Sequence, residues 1–385
     1  MGISFFYLLA VLPVAVGGYL WYRSYRVVWQ EWVGGSVAAF ATALFFHILA
    51  VSSMTGDVET WSGQIEKATH HPRWVEEYQQ MHTRTVGSGK NARTETYYTT
   101  EYRTHHEHWD AETTLDDQHE ITEEFFHEIT RHFGGSTTTE RPWKPGFHSG
   151  DRNVYVAYNR TGYVYPVTTR RSFENRIKAA PSLFSFAKVP TNVTVFPWPS
   201  NPNWLESDRL LGTAQALFDL REFDMMNSRL GPTKRVNVIM VGWTKEDAQI
   251  AQWQEAAWIG GKKNDLVICF GGMTTRRPAQ WAHVFGWTES AVCKRNLESI
   301  MLTDMSPNLR LAAIEREIKA NYRLKDWSKF DYITVEPPTW SYIVYILVLM
   351  VSQGGLYVWF HANEFSKGFG TYFSGRSVYG RFRRG

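Results

Sequence analysis

Apolar positions crowd into three runs at the two ends of the chain. Ile3 to Tyr22 (ISFFYLLAVLPVAVGGYLWY) holds 20 residues without a charge, enough to cross a hydrocarbon core of roughly 30 Å. Pro13 lies inside this run and predicts a kink. Arg23 and Arg26 follow the run, and no basic segment precedes it. That order argues for a membrane helix over a cleaved signal peptide. Gly34 to Met54 is a second run, uncharged apart from any proton on His47. Trp340 to Phe360 is a third, with tyrosine and tryptophan at both ends, as interfacial aromatic belts have.

Between these runs the pattern changes twice. From Trp61 to about Arg171 threonine, tyrosine, histidine and acidic residues dominate, and TETYYTTEYRTHHEHWDAETT has no helical stripe, which predicts strands. Gly87 to Asn91 reads as a loop, and Val154 to Val167 as a hairpin turning at Asn159 to Gly162. Pro190 to Asn203 contains four prolines and predicts a stiff extended connector. Beyond it, Glu206 to Leu230 and Lys245 to Trp258 read as helices. Arg235 to Val241, Asp265 to Phe270 and Trp281 to Trp287 read as strands, the first two buried. Asp304 to Tyr322 has an amphipathic spacing. Strands separated by helices predict a layered α/β domain.

Composition narrows the class. A net charge of +3 gives no electrostatic footprint for nucleic acid. Two cysteines, Cys269 and Cys293, exclude a disulfide framework and any cysteine-rich zinc module. Cys269 is expected in the core and Cys293 on a helix surface. Segments 23–33 and 361–385 hold seven cations, Arg23, Arg26, Lys367, Arg376, Arg381, Arg383 and Arg384, against Glu31 and Glu364. Excess positive charge belongs on the cytoplasmic side. The expected order is therefore transmembrane helix 1 at 1–22, a cytoplasmic loop at 23–33, and transmembrane helix 2 at 34–54. A β-rich extracytoplasmic part at 55–189, the connector at 190–203 and an α/β domain at 204–339 follow. Transmembrane helix 3 at 340–360 and a basic cytoplasmic tail at 361–385 complete the chain. Three spans without a run of intramembrane charge argue against a transporter or channel. His47 reads as a ring packed between helices or near an interface, with a proton or metal role as the alternative. Gln353-Gly354-Gly355 reads as a site of close helix packing.

Histidine carries the candidate chemistry. Ten of the 13 histidines fall between His70 and His148. Residues 101–132 add ten acidic residues against two arginines. Imidazole with carboxylate is the donor set of zinc, manganese and iron. On a strand His106 and His108 would share a face and could ligate one divalent ion with Asp110. Glu124 and His127 have the E-x-x-H spacing of di-iron helices, but the surrounding pattern favours strands. The alternative is a solvated acidic surface whose histidines titrate without a ligand role. Gly260 to Asp265 (GGKKND) reads as a tight turn, without the spacing of a phosphate loop. Asp265 with Asp304 is a second candidate cation site, although Asp304 also suits a turn or helix cap. No serine elbow and no HExxH pair is present.

Val236 to Phe270 (VNVIMVGWTKEDAQIAQWQEAAWIGGKKNDLVICF) resembles the TPM domain. That family has a strand and helix leading to a tryptophan, a Gly/Lys-rich turn with Asn-Asp, and a second apolar strand. The positions here are Trp258, Gly260, Gly261, Lys262, Lys263, Asn264 and Asp265, and the resemblance covers about 210–325. The wider layout is similar to membrane proteins of large tailed phages that have no established activity. It rests on Asp57 to Gly63, Asn175 to Phe184, Trp258 to Asp265 and Glu336 to Trp340. These resemblances imply a phage-encoded, multi-pass protein of the host inner membrane. Divalent-cation binding and phosphatase activity are known among TPM domains. Leu266 stands where that family usually has glycine, which weakens any transfer of catalysis.

The expected fold class is thus an α+β membrane protein, with three transmembrane helices and an extracytoplasmic region comprising a β-rich part and an α/β TPM-like domain. The expected function is non-catalytic interaction with an envelope or phage protein, with a homo-oligomer open. The rival is a membrane-anchored, metal-dependent hydrolase of phosphatase type using one divalent ion.

Overall fold

The computed structural model describes residues 5–22, 29–87, 93–141, 146–201, 203–205, 207–244 and 247–362. Arg23, Arg26, residues 88–91 of the expected loop, Glu206, Lys245 and the basic tail from 363 onward lie outside the described residues.

In chain order, α1 (Phe5–Tyr22) and α2 (Trp29–Thr55) precede β1 (Gly56–His71), β2 (Trp74–Val86), β3 (Arg93–His105), β4 (His108–Thr113) and β5 (Gln118–Ile121). Next come α3 (Glu123–Phe133), β6 (Thr137–Glu140), β7 (Phe147–Gly150), β8 (Asn153–Tyr158), β9 (Pro166–Glu174) and the short α4 (Arg176–Ala179). The remainder comprises β10 (Leu210–Gly212), α5 (Ala214–Leu217), α6 (Leu220–Lys234), β11 (Asn237–Trp243), α7 (Gln249–Ala257), β12 (Asp265–Gly271), β13 (Trp281–Gly286), α8 (Ala291–Leu302), α9 (Pro307–Asn321) and α10 (Thr339–Ala362). The chain divides into two compact units. The first joins Met1–Asp57, Ser172–Ser185 and Asp326–Gly385; the second joins Val58–Arg171 and Phe186–Lys325.

In the first unit α1, α2 and α10 pack around Phe6, Ala10, Ala39, Ala43, Tyr345 and Leu349. Their outer faces stay apolar, with Leu12, Val37, Phe45 and Val351 exposed. Among the described residues, α2 and α10 are long and apolar enough to cross a membrane, and α1 is a shorter apolar helix. Close packing occurs where Gly17 and Gly18 meet Trp32, whose Nε1 donates to the Val14 carbonyl at 2.9 Å. It does not occur at Gly354 and Gly355, which face open space; Gln353 instead donates to the Gly35 carbonyl at 3.2 Å. His47 lies 5.7 Å from the Tyr7 ring.

Among the described residues the second unit contains three sheets. A six-stranded sheet runs β5-β4-β1-β8-β6, with β9 also pairing β1. Val154 to Val167 is therefore no simple hairpin, because β8 and β9 both pair with β1. One face of this sheet packs Ile65, Ala68, Ala111 and Ala157 against Phe126, Ile129 and Phe133 of α3. That places Glu124 and His127 on a helix, where strands were expected. The helix forms because apolar residues recur every three or four positions behind an N-cap, Thr122, whose hydroxyl accepts from the Phe125 N–H.

The α/β part is a four-stranded sheet, β10-β11-β12-β13, parallel except at β13. Every residue of β11 and β12 is buried, as strands covered on both faces require. Val238, Met240, Leu266 and Ile268 face a core closed by α6, α8 and α9. Ile239, Val241, Val267 and Cys269 face the opposite core. The Pro-rich segment helps to close that second core and does not stand off as a spacer. Phe196 hydrogen-bonds the Gln254 side chain through both its N–H and its carbonyl, which also accepts from Trp258 Nε1. Glu206 to Leu230 is not one helix either. Leu210 to Gly212 is drawn into the sheet beside β11, and helix α6 begins after its Asp219 cap. Cys293 is buried, not on a surface, because it faces the α8 core; burial pushes its thiol up to about 12.

Candidate metal centre

Strand alternation splits β1 into two sets of side chains. Ala68 belongs to the α3 core, and His70 stacks between Trp109 and Tyr155 on the same side. Lys67, Thr69 and His71 point the other way. Antiparallel pairing with β4 sets Lys67 opposite Glu112, Thr69 opposite Asp110 and His71 opposite His108. This ladder gathers the candidate donors.

The His71 Nε2 lies 3.1 Å from Asp110 Oδ2, and the His108 Nε2 lies 4.0 Å from the same oxygen. The two imidazoles are stacked, with centroids 4.7 Å apart. One donor atom from each of His71, His108 and Asp110 falls within 4.8 Å of the others. Asp110 has a side chain only 7% exposed, whereas that of His108 is 48% exposed. Burial pulls the Asp110 carboxyl upward, but hydrogen bonds from His71 and Gln118 and the charges of His71 and His108 outweigh it. The carboxyl is held below its ordinary value and stays ionised. The His71 contact is to Oδ2; Oδ1 is buried and, among the described residues, has no hydrogen-bond partner.

His106 is not beside His108 on a strand. β3 ends at His105 and β4 begins at His108, so His106 sits in the link between them. Its backbone carbonyl lies 3.0 Å from His108 Nδ1. A carbonyl only accepts, so Nδ1 carries a proton, and Nε2 is the nitrogen that faces Asp110.

His71 also lines a cavity of about 520 Å³ with Lys67, Trp74, Glu112, Arg141 and Arg152. The Arg141 guanidinium lies over the Trp74 ring at 4.9 Å and donates to the Pro72 carbonyl at 2.8 Å. Burial pulls Arg141 below its ordinary value, against the charge of Asp151.

Most other histidines of the β-rich part are occupied by neighbours. His105 lies 2.9 Å from Glu76, His70 lies 2.7 Å from Glu107, and His82 lies 2.8 Å from the Thr99 hydroxyl. The His105 and His82 contacts run across the β2–β3 pair, and Glu107 reaches His70 from the link between β3 and β4. A further constellation escaped the sequence reading. His283 of β13 lies 2.7 Å from Glu255 of α7 and 3.9 Å from Glu298 of α8. Nothing local in the sequence signals it, because the three residues come from separate elements.

The second expected cation pair is not brought together. Asp265 opens β12, is 1% exposed, and accepts from Asn237 Nδ2 and from the Lys262 N–H, both at 2.7 Å. Asn237 in turn meets the buried guanidinium of Arg209, which also donates to Asp224, Ser207 and Ser62. Asp304 is exposed in the turn between α8 and α9, near Arg310, and the N-cap of α9 is Ser306. The Ala279 N–H donates to the Met301 carbonyl and the Gln280 N–H to the Gly271 carbonyl, so this turn lies by the far end of β12. A strand of this length separates the two carboxylates by roughly 20 Å.

Comparison with protein-family models, curated proteins and solved structures returned no match to this chain.

Proposed function

We propose that the chain is a multi-pass membrane protein whose second unit works outside the cytoplasm as an interaction module. The apolar runs and the basic segments 23–33 and 361–385 support three spans with an external N-terminus. The resemblances to TPM domains and to membrane proteins of large tailed phages support a place in a host inner membrane during infection.

The observation that carries the interaction reading is strand β3. It pairs with β2 over thirteen consecutive positions, from Trp74 opposite His105 to Val86 opposite Arg93. Among the described residues, β3 pairs with no other strand, and Tyr97, Tyr98 and Tyr102 on it are exposed. A long edge strand with aromatic side chains is a template for a partner's strand. A photo-crosslinker at Tyr98 in native membranes should give one discrete adduct, lost when Tyr97 and Tyr102 are both changed to Ser. A ladder of random adducts, unaffected by those changes, would refute the reading.

A second reading is a membrane-anchored, metal-dependent hydrolase. It is favoured by one observation, the shared position of His71 in the donor set and in the wall of a cavity carrying Lys67, Arg141 and Arg152. Phosphomonoester turnover abolished by His108→Ala, with folding intact, would place it first.

A further inference from the structure

We propose that His71, His108 and Asp110 bind one divalent transition-metal ion through two imidazole nitrogens and one carboxylate. The site stands whether the unit works by binding or by hydrolysis.

Three observations converge on it. The donors come from two paired strands whose register places them together, which is rigid backbone of the kind metal sites need. Second, the tautomer of His108 is set: its Nδ1–H donates to the His106 carbonyl, leaving Nε2 as the ligand atom. Third, Asp110 Oδ1 is buried without a hydrogen-bond partner among the described residues, on a side chain 7% exposed. A buried carboxylate oxygen left without a donor is costly, and a cation satisfies it.

The donor chemistry selects the class of ion. Two imidazoles and one carboxylate suit zinc, iron(II) or manganese(II) more than calcium or magnesium, which prefer all-oxygen shells. Bonds of roughly 2.0–2.2 Å place tetrahedral donors about 3.3 Å apart. The present spacings of up to 4.8 Å therefore close by as much as about 1.5 Å on binding. The His108 ring, half exposed, has room to supply that movement. Three protein ligands leave at least one position for water or an external ligand, the arrangement of catalytic or exchangeable sites.

The set differs from the one suggested by sequence spacing, and the difference is testable. The full chain, purified in detergent through a histidine-free tag and stripped of metal, is titrated with Co(II) as the probe. One equivalent is expected, with visible absorption of a nitrogen–oxygen site and displacement by Zn(II). His71→Ala, His108→Ala and Asp110→Asn should each weaken binding at least about tenfold. His106→Ala should leave it unchanged, because only the carbonyl of that residue is used. His108 is exposed enough for its variant to fold, which near-UV circular dichroism checks. Absence of stoichiometric Co(II) in the wild type would overturn the proposal. So would unchanged binding in His108→Ala, or equal loss in His106→Ala and His108→Ala with His71→Ala unaffected.

Discussion

At the scale of single residues, the charged groups that matter most to the second unit are not on its surface. Arg209 is 1% exposed and holds Asp224 at 2.8 Å, while Ser62 of β1 and Asn237 of β11 accept from the same guanidinium. Removing one partner of such a buried pair leaves an uncompensated charge. Arg209→Ala should therefore cost about 3–5 kcal/mol in chemical denaturation followed by tryptophan fluorescence. A loss below about 1 kcal/mol would show that water or another cation replaces it. Glu315 provides a pH-dependent counterpart on the α9 surface. Burial pushes its carboxyl up, but Arg229, bonded at 2.9 and 2.7 Å, and Lys319 together pull it below its ordinary value. A depressed folded value means that the stabilisation is complete above the unfolded value near 4.3 and is lost as pH falls through the folded one. Wild type should lose stability across that acid window, and Glu315→Gln should lose less over the same pH range. His108 and Asp110 could be singled out together as candidate donors because they lie two residues apart on one strand. His71 was not, since its place opposite His108 is a matter of strand register.

Elements show the same division between local and distant causes. Helix α3 was read as strand because its histidines and acids dilute the apolar stripe, yet Phe126, Ile129 and Phe133 are all buried in its core. Its cap is local chemistry, and Thr122→Ala should cost about 1 kcal/mol. The measurement is equilibrium unfolding; no change would mean that core packing alone holds the helix. Helix α6 carries a tighter constraint. Gly231 lies against the Ser62 backbone of β1, where any added Cβ meets the Ser62 carbonyl oxygen. That contact is with backbone and gives little. Gly231→Ala should cost more than a surface substitution, about 1–3 kcal/mol, and should increase proteolysis between residues 171 and 207. Equal protease resistance in the two proteins would count against a close α6–β1 contact.

For the whole molecule, sidedness is the property most open to a direct test. Cys269 and Cys293 are both buried, so a membrane-impermeant maleimide has little to react with in the native chain. Met81 is 61% exposed on β2. Met81→Cys should be labelled from outside intact cells if the second unit is extracytoplasmic, and only after lysis if it is not. The apolar helices and the buried strands β11 and β12 could be read from the chain alone, because each depends on the composition of one continuous segment. A run of some twenty apolar residues has few alternatives to a helix in a membrane, and a short β-branched run flanked by turns has few to a covered strand. What the tertiary structure decided was pairing. The β-rich segment and the α/β segment join in one compact unit, with Arg209, Asn264 and Gly231 of the latter meeting Ser62, Thr60 and Ser62 of β1. The metal-capable triad likewise exists only once β1 and β4 are in register. Contacts of this kind depend on which distant segments exclude water together, and no local pattern of residues specifies that.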